Sequence, residues 1–167
     1  MQGILLSGLL LNQALFLPAH ALTTPRASVR HPANAAPEAL LLPRQAASAS
    51  SNTDKAGHTL DGRFWTRWSA QGDGHWIQYD LGRVRTLAGV DIAWYKGSDL
   101  RYRFELQASA DGVTFLPLLH AESSGSTRTR EPYALPATRA RWVRLIGHGN
   151  NMDAGTALTE AAWRVLP

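Results

Sequence analysis

The ten residues Leu60-Asp61-Gly62-Arg63-Phe64-Trp65-Thr66-Arg67-Trp68-Ser69 hold a carboxylate, hydroxyls, three aromatic rings and two guanidinium groups. Asp61 offers a hard anionic oxygen. Thr66, five positions on, offers a hydroxyl and a carbonyl, and the residues between offer carbonyls. Six or more hard oxygens at flexible distances suit Ca²⁺. One carboxylate is thin for a dication, so a second must come from elsewhere. Glu160 is the candidate: it sits among Leu158, Ala161, Ala162 and Trp163, where an unpaired buried charge would be costly. The plainer alternative makes Asp61-Gly62 an ordinary turn and Glu160 a surface residue, and Asp-Gly turns are common.

Sugar sites set an aromatic face against the apolar face of a ring and fix the hydroxyls with polar groups. Trp65, at the outer part of the loop, is the candidate for exposure, and Trp68 for the core. Trp94-Tyr95-Lys96-Gly97-Ser98-Asp99-Leu100-Arg101 is a second polar-aromatic loop. Its Lys96 and Arg101 can pair with carboxylates or hydroxyls. Solvated loop charges beside a core Trp94 are the competing reading. Enzyme constellations are weak. The six histidines lack HExxH spacing, and there is no GxSxG elbow, phosphate-cradling glycine loop or Cys nucleophile. Asp61, Asp80 and Glu160 could pair as glycosidase carboxylates. Asp80, just before Leu81-Gly82, fits a strand end better.

Composition bounds the rest. The 167 residues suffice for one domain, and all six Trp lie at or after position 65. The absence of Cys excludes disulfides and thiolate metal sites. The formal charge is +4, but from residue 46 onward 14 basic residues face 12 acidic ones. No basic stripe appears, which argues against nucleic acid. Residues 1–21 read as an export signal: an apolar run ends at Pro18-Ala19-His20-Ala21, with small residues at −3 and −1. Its n-region lacks Lys and Arg, and a membrane anchor is the alternative, which Asn12-Gln13 would interrupt. Residues 22–45, with Pro25, Pro32, Pro37 and Pro43, read as a semi-extended linker whose Leu40–Leu42 could dock on the domain. The domain proper is expected over 46–167.

The elements that must position these side chains are strands. Ala46–Ser51 fits a short first strand. His75 to Gly82 alternates and stops at Gly. Val90, Ile92 and Trp94 share a face, as do Phe104, Leu106 and Ala108. Asp111-Gly112 is a hairpin signal before Val113–Leu119. Tyr133–Leu135, Arg141–Gly147 and Leu158–Leu166 complete the set, with a loop over His148–Asp153. No amphipathic helix follows the opening loop. Short strands with turns every 8–12 residues or so argue for an all-β sandwich.

These residues resemble a known family. Leu60-Asp61-Gly62, Thr66-Arg67-Trp68-Ser69, Trp76-Ile77-Gln78-Tyr79-Asp80-Leu81-Gly82, Ser109-Ala110-Asp111-Gly112, Ala140-Arg141-Trp142-Val143-Arg144-Leu145 and Glu160 look like the coagulation factor 5/8 type C (discoidin) domain, in order from about 46 to 167. Within that superfamily the chain is most similar to bacterial carbohydrate-binding modules of family 32. Trp94-Tyr95-Lys96-Gly97, Ser123–Thr127, Glu131-Pro132-Tyr133 and Gly147–Asn150 look like the version appended to alginate lyases. The resemblance implies a jelly-roll β-sandwich of about eight antiparallel strands with a structural Ca²⁺. The matching ligands are Asp61, Thr66, Glu160 and the carbonyls of His58, Arg63 and Thr159. It implies a sugar site on the loops at the same end, with Trp65 and a basic residue, Lys96 or Arg101, as contacts; Tyr95 and Asn150 are further candidates on those loops. Relatives often carry a Trp about five residues before the last-strand Glu, and here position 155 is Gly.

The expectation is a secreted or periplasmic, non-catalytic module binding a polysaccharide, an acidic one such as alginate included. A polysaccharide-degrading enzyme is an expected partner. The rivals are an adhesion module for membrane or protein surfaces, a small lyase or hydrolase, and a structural domain that lost its ligand site. Polar loops, apart from Trp65 and Met152, argue against the membrane.

Overall fold

A computed structural model describes residues 40–42 and 46–167. The expected export signal over 1–21 lies outside the described residues, as does the linker apart from Leu40–Leu42.

The chain runs β1 (Leu40–Leu41), β2 (Ala46–Ala49), a 3₁₀ helix (Thr53–Leu60), β3 (Trp68–Gln71), β4 (Trp76–Trp94), β5 (Tyr102–Ser109), β6 (Leu116–Glu122), β7 (Glu131–Asn150) and β8 (Gly155–Val165). Alternation makes the strands. On β4, Ile77, Tyr79 and Leu81 are buried while Trp76, Gln78 and Asp80 are half-exposed. On β5, Phe104, Leu106 and Ala108 point inward and Arg103, Glu105 and Gln107 outward, as their spacing predicts.

Every pairing is antiparallel, and two long strands tie the layers of the sandwich together. The first part of β4 pairs with β2 and with Trp142–Ile146 of β7, which continues to β5 and β6. The second part pairs with Glu131–Thr138 of β7 and with β8, whose far edge takes β3 at one end and β1 at the other. This is the expected all-β jelly-roll sandwich with eight strands among the described residues.

Several elements differ from the sequence expectation, among them β6, which spans Leu116–Glu122 where Val113–Leu119 was expected. The strand starting at Trp76 does not end at Gly82. Gly82 takes φ +79, the β4–β7 register breaks between Asp80 and Arg85, and pairing then resumes. The hydrogen-bonded strand β7 runs on to Asn150, so the expected 148–153 loop shrinks to 151–154. The 3₁₀ helix over Thr53–Leu60 was not foreseen. Short 3₁₀ pieces carry no long apolar stripe, and here only Ala56 and Thr59 are buried. Leu40–Leu41 pairs with Val165 and Arg164, so the sheet begins ahead of residue 46.

The core is aromatic. Trp94 stacks on Tyr102 at 5.0 Å and leans on Phe104 at 4.9 Å, and Tyr79 meets Trp163 at 5.5 Å. Such pairs add about 0.5–1.5 kcal/mol each beyond area burial. Trp68 is fully buried, its indole N–H donating to Ser51 O at 2.8 Å.

Candidate functional site

The 3₁₀ helix delivers the chain into the 61–67 loop, and β8 carries Glu160 to meet it. Glu160 is 2% exposed. The Arg63 amide donates to Asp61 Oδ1 at 2.8 Å and to Glu160 Oε1 at 2.9 Å, so two carboxylates converge on one N–H. Thr66 Oγ1 lies 3.0 and 2.9 Å from the two Asp61 oxygens and 3.0 Å from Arg63 O. Arg130 holds the other Glu160 oxygen at 2.9 Å. Burial pushes the Glu160 carboxyl up, against the pull of Arg130. Desolvation also pushes Asp61 up, but the Thr66 hydroxyl and the Arg63 amide outweigh it and hold that carboxyl below its ordinary value.

The fit to a hard cation follows from this donor set. Asp61, Glu160, Thr66 Oγ1 and Arg63 O are all oxygen donors in one place. Among the described residues no group of three His, Cys, Asp or Glu could hold a metal. A cation here would depend on two carboxylates and neutral oxygens, which suits Ca²⁺ better than a transition metal. The other two expected carbonyl donors flank the pair in sequence. His58 sits in the last turn of the 3₁₀ helix, and Thr159 immediately precedes Glu160.

Beside this cluster lies a cleft of about 300 Å³, lined among others by Asn52, Arg67, Gln71, Tyr95, Asp153 and Gly155. The Arg67 guanidinium stands 4.1 Å from the centre of the Tyr95 ring, and Lys96 Nζ 5.6 Å from it. Lys96 takes φ +49 in the turn after β4, a conformation non-glycine residues seldom adopt. A Cβ at position 155 would come within 2.7 Å of Gln71 Oε1 and 2.8 Å of Asp153 Oδ1. Glycine at 155 therefore leaves open a cleft that a large side chain would disturb.

Lys96 itself is not among the residues lining the cleft, and the remaining expected residues divide. Trp65 is 80% exposed but does not line the cleft. Arg101 turns to Glu122 at 3.5 Å and lays its stem against Gly125, also outside the cleft lining. Asn150 lines the cleft, but its amide is spent internally. Nδ2 donates to Asp153 Oδ1 and Gly155 O, and Oδ1 accepts from the Met152 and Asp153 amides. With both donors and both lone pairs engaged, Asn150 shapes the 151–154 loop. Asp80 lies within β4 at its register break, not at a strand end: it receives Arg141 through two 2.8 Å bonds and accepts from the Gly82 amide. Sequence reasoning missed Arg67 as the partner of Tyr95 and Arg130 as the partner of Glu160. Both are contacts between distant segments that no local spacing signals.

The sequence profile of the F5/8 type C domain matches residues 45–160. The chain belongs to the F5/8 type C family. Among solved structures, the CBM32 of AlyQ in complex with 4,5-unsaturated mannuronic acid is 34% identical, with a TM-score of 0.68 over 72% of this chain and 97% of that one. Truncated AlyQ with CBM32 and alginate lyase domains is 31% identical, TM-score 0.74, over 79% of this chain. The F5/8 type C chain spans only 35% of that protein. A pectin-binding carbohydrate-binding module is 25% identical, TM-score 0.66, over 75% of this chain and 91% of that one. No protein of curated function matches the chain. The F5/8 type C domain seen here is thus of the CBM32 carbohydrate-binding type.

Proposed function

We propose that this domain binds an acidic, uronate-containing polysaccharide such as alginate, without catalysis, after export under the signal read at 1–21. The observation that carries this is the cationic-aromatic pair in the cleft wall, the Arg67 guanidinium 4.1 Å from the Tyr95 ring centre, with Lys96 Nζ 5.6 Å from the same ring and outside the cleft lining. A guanidinium presents paired N–H groups to a carboxylate, and an ammonium adds a mobile point charge. Gln71, Asn52 and Asp153 supply amides and a carboxylate for ring hydroxyls. Trp65, exposed on the adjoining loop, offers a stacking face for a further sugar unit. Ca²⁺ held by Asp61, Thr66, Glu160 and loop carbonyls would neutralise the two carboxylates and fix the loop. The two similar AlyQ structures, one described with an unsaturated mannuronic acid, support this ligand class.

Calorimetric titration with alginate oligosaccharides tests the reading. Arg67→Gln and Trp65→Ala should each weaken binding at least fivefold, about 1 kcal/mol. Undiminished binding by both variants would refute the cleft. Release of unsaturated products by the purified protein would make it a lyase. Trp65 and Met152 are 80% and 79% exposed, which gives the membrane-adhesion reading its one support. Co-sedimentation with anionic liposomes, abolished by Trp65→Ala, would favour that reading instead.

A further inference from the structure

The outer face of the β2–β4–β7–β5–β6 layer carries an arrangement that the loop site does not use. Gln78 of β4 stands opposite Arg144 of β7, and Arg144 opposite Gln107 of β5. Trp76 and Trp142 lie on the same face, and Phe115 reaches it from the loop before β6. All six side chains are half-exposed. The Arg144 guanidinium packs against two rings, 3.8 Å from the Phe115 centre and 4.4 Å from the Trp76 centre. Its Nε and one Nη donate to a single neutral acceptor, Gln78 Oε1, at 3.1 and 2.7 Å. A guanidinium has five N–H donors. The others have no acceptor among the described residues.

Among the described residues Arg144 lacks a counterion, as Arg85 does, and differs from Arg85 in the two rings packed against its guanidinium. Arg141 and Arg164, likewise half-exposed strand residues, hold carboxylates at 2.8 and 3.2 Å. Arg144 has no carboxylate within 4.0 Å among the described residues. Its neighbours Asp80 and Glu105 are committed, to Arg141 and to Gln107. The two rings and Gln78 hold this half-exposed cation in place, and its charge is still open to an anion. Burial alone pushes the Arg144 pKa down, and an anion would offset that push.

We propose that this sheet face is a second binding surface, on which Arg144 receives the carboxylate of a uronate in a polysaccharide chain. Its planar fork offers the remaining N–H groups side by side, the geometry a carboxylate accepts bidentately. Trp142 and Trp76 give flat apolar areas for neighbouring sugar rings, and Gln78 and Gln107 give amides for hydroxyls. A flat strip of rings and amides around one cation fits an extended carboxylated polymer. The ligand class follows from the guanidinium and not from the loop cleft, so the two readings can fail separately.

Arginine Nε–Hε NMR signals of the wild-type domain, titrated with polygalacturonate or alginate oligomers, test this without any variant. The Arg144 signal should shift and saturate. Arg144→Gln should reduce the calorimetric stoichiometry from two sites to one and leave the Arg67 site intact. An unmoved Arg144 signal, or no binding of either polyuronate, overturns the proposal. Poly-glutamate shifting the signal at equal concentration would also overturn it, since the surface would then read charge alone. So would concentration-dependent dimerisation abolished by Arg144→Gln, which would make the face a self-interface. If Arg67→Gln changes nothing while Arg144 responds, the cleft reading falls and the sheet-face reading stands.

Discussion

Arg63 contributes its peptide N–H, not its side chain, to the most consequential contact in the domain. That N–H holds Glu160 from 97 residues away while it also holds Asp61. Two carboxylates aimed at one point repel, and Arg130 offsets only the charge of Glu160, so a cation between them would relieve the repulsion further. Millimolar Ca²⁺ should therefore raise the melting temperature and chelator should lower it. A free concentration about 100 times Kd is worth about 2.7 kcal/mol. Glu160→Gln and Asp61→Asn should abolish that response. A melting temperature indifferent to Ca²⁺ and chelator would remove the cation from this site. Asp61 and Thr66 stood out through their oxygen donors and spacing, but spacing alone left an ordinary Asp-Gly turn as the plainer reading, and the family resemblance pointed to a metal. Glu160 drew notice because a charge stood among apolar residues, and its approach to the loop was implied by family resemblance. Arg130 gave no signal, because nothing local ties residue 130 to residue 160.

At the scale of elements, the tightest approach lies between β7 and β8. A methyl at Gly147 would run into Oγ1, Cβ and Cγ2 of Thr156, which itself lines the cleft. Gly147→Val should destabilise by about 1–3 kcal/mol through overpacking. It should also weaken ligand binding, because Thr156 must shift. Gly57→Ala is the control: nothing lies within 4 Å of its added carbon, and its melting temperature should not fall. A neutral Gly147→Val would show that the layers can part at no cost. The strands themselves were legible because inward and outward residues alternate, as in Phe104, Leu106 and Ala108. The continuity of β4 was not legible. Gly82 looks like a stop in one dimension, whereas pairing with β7 resumes beyond it at Arg85. The contact of Arg67 with Tyr95 joins two loops and has no periodicity to betray it.

For the whole molecule, acid should act mainly through carboxyls held in their charged form. Arg141 holds the Asp80 carboxyl below its ordinary 3.8, and the Val113 and Thr114 amides hold Asp111 at about 2. A depressed carboxyl gives its stability above the unfolded value of 3.8 and loses it as pH falls through the folded value. Glu160 has the opposite sign. Its raised pKa favours the fold below 4.5, and that contribution is lost as pH rises through the folded value. Without metal, the melting temperature should stay level or rise slightly on acidification toward 4.5, then fall between 3.8 and about 2. Asp80→Asn should sit below wild type at neutral pH and converge on it in strong acid. Parallel curves at every pH would show that the Asp80–Arg141 pair is not the source.

The last strand also sets a polarity. Gly155, where β8 starts, lines the cleft, and Arg164–Val165, where it ends, lies beside Leu40–Leu41. Ten residues of extended chain separate these ends by roughly 30 Å. Leu40 and Val165 are thus neighbours, the length of β8 away from the cleft. A tether attached at Pro167 would therefore start from the end of β8 away from the cleft.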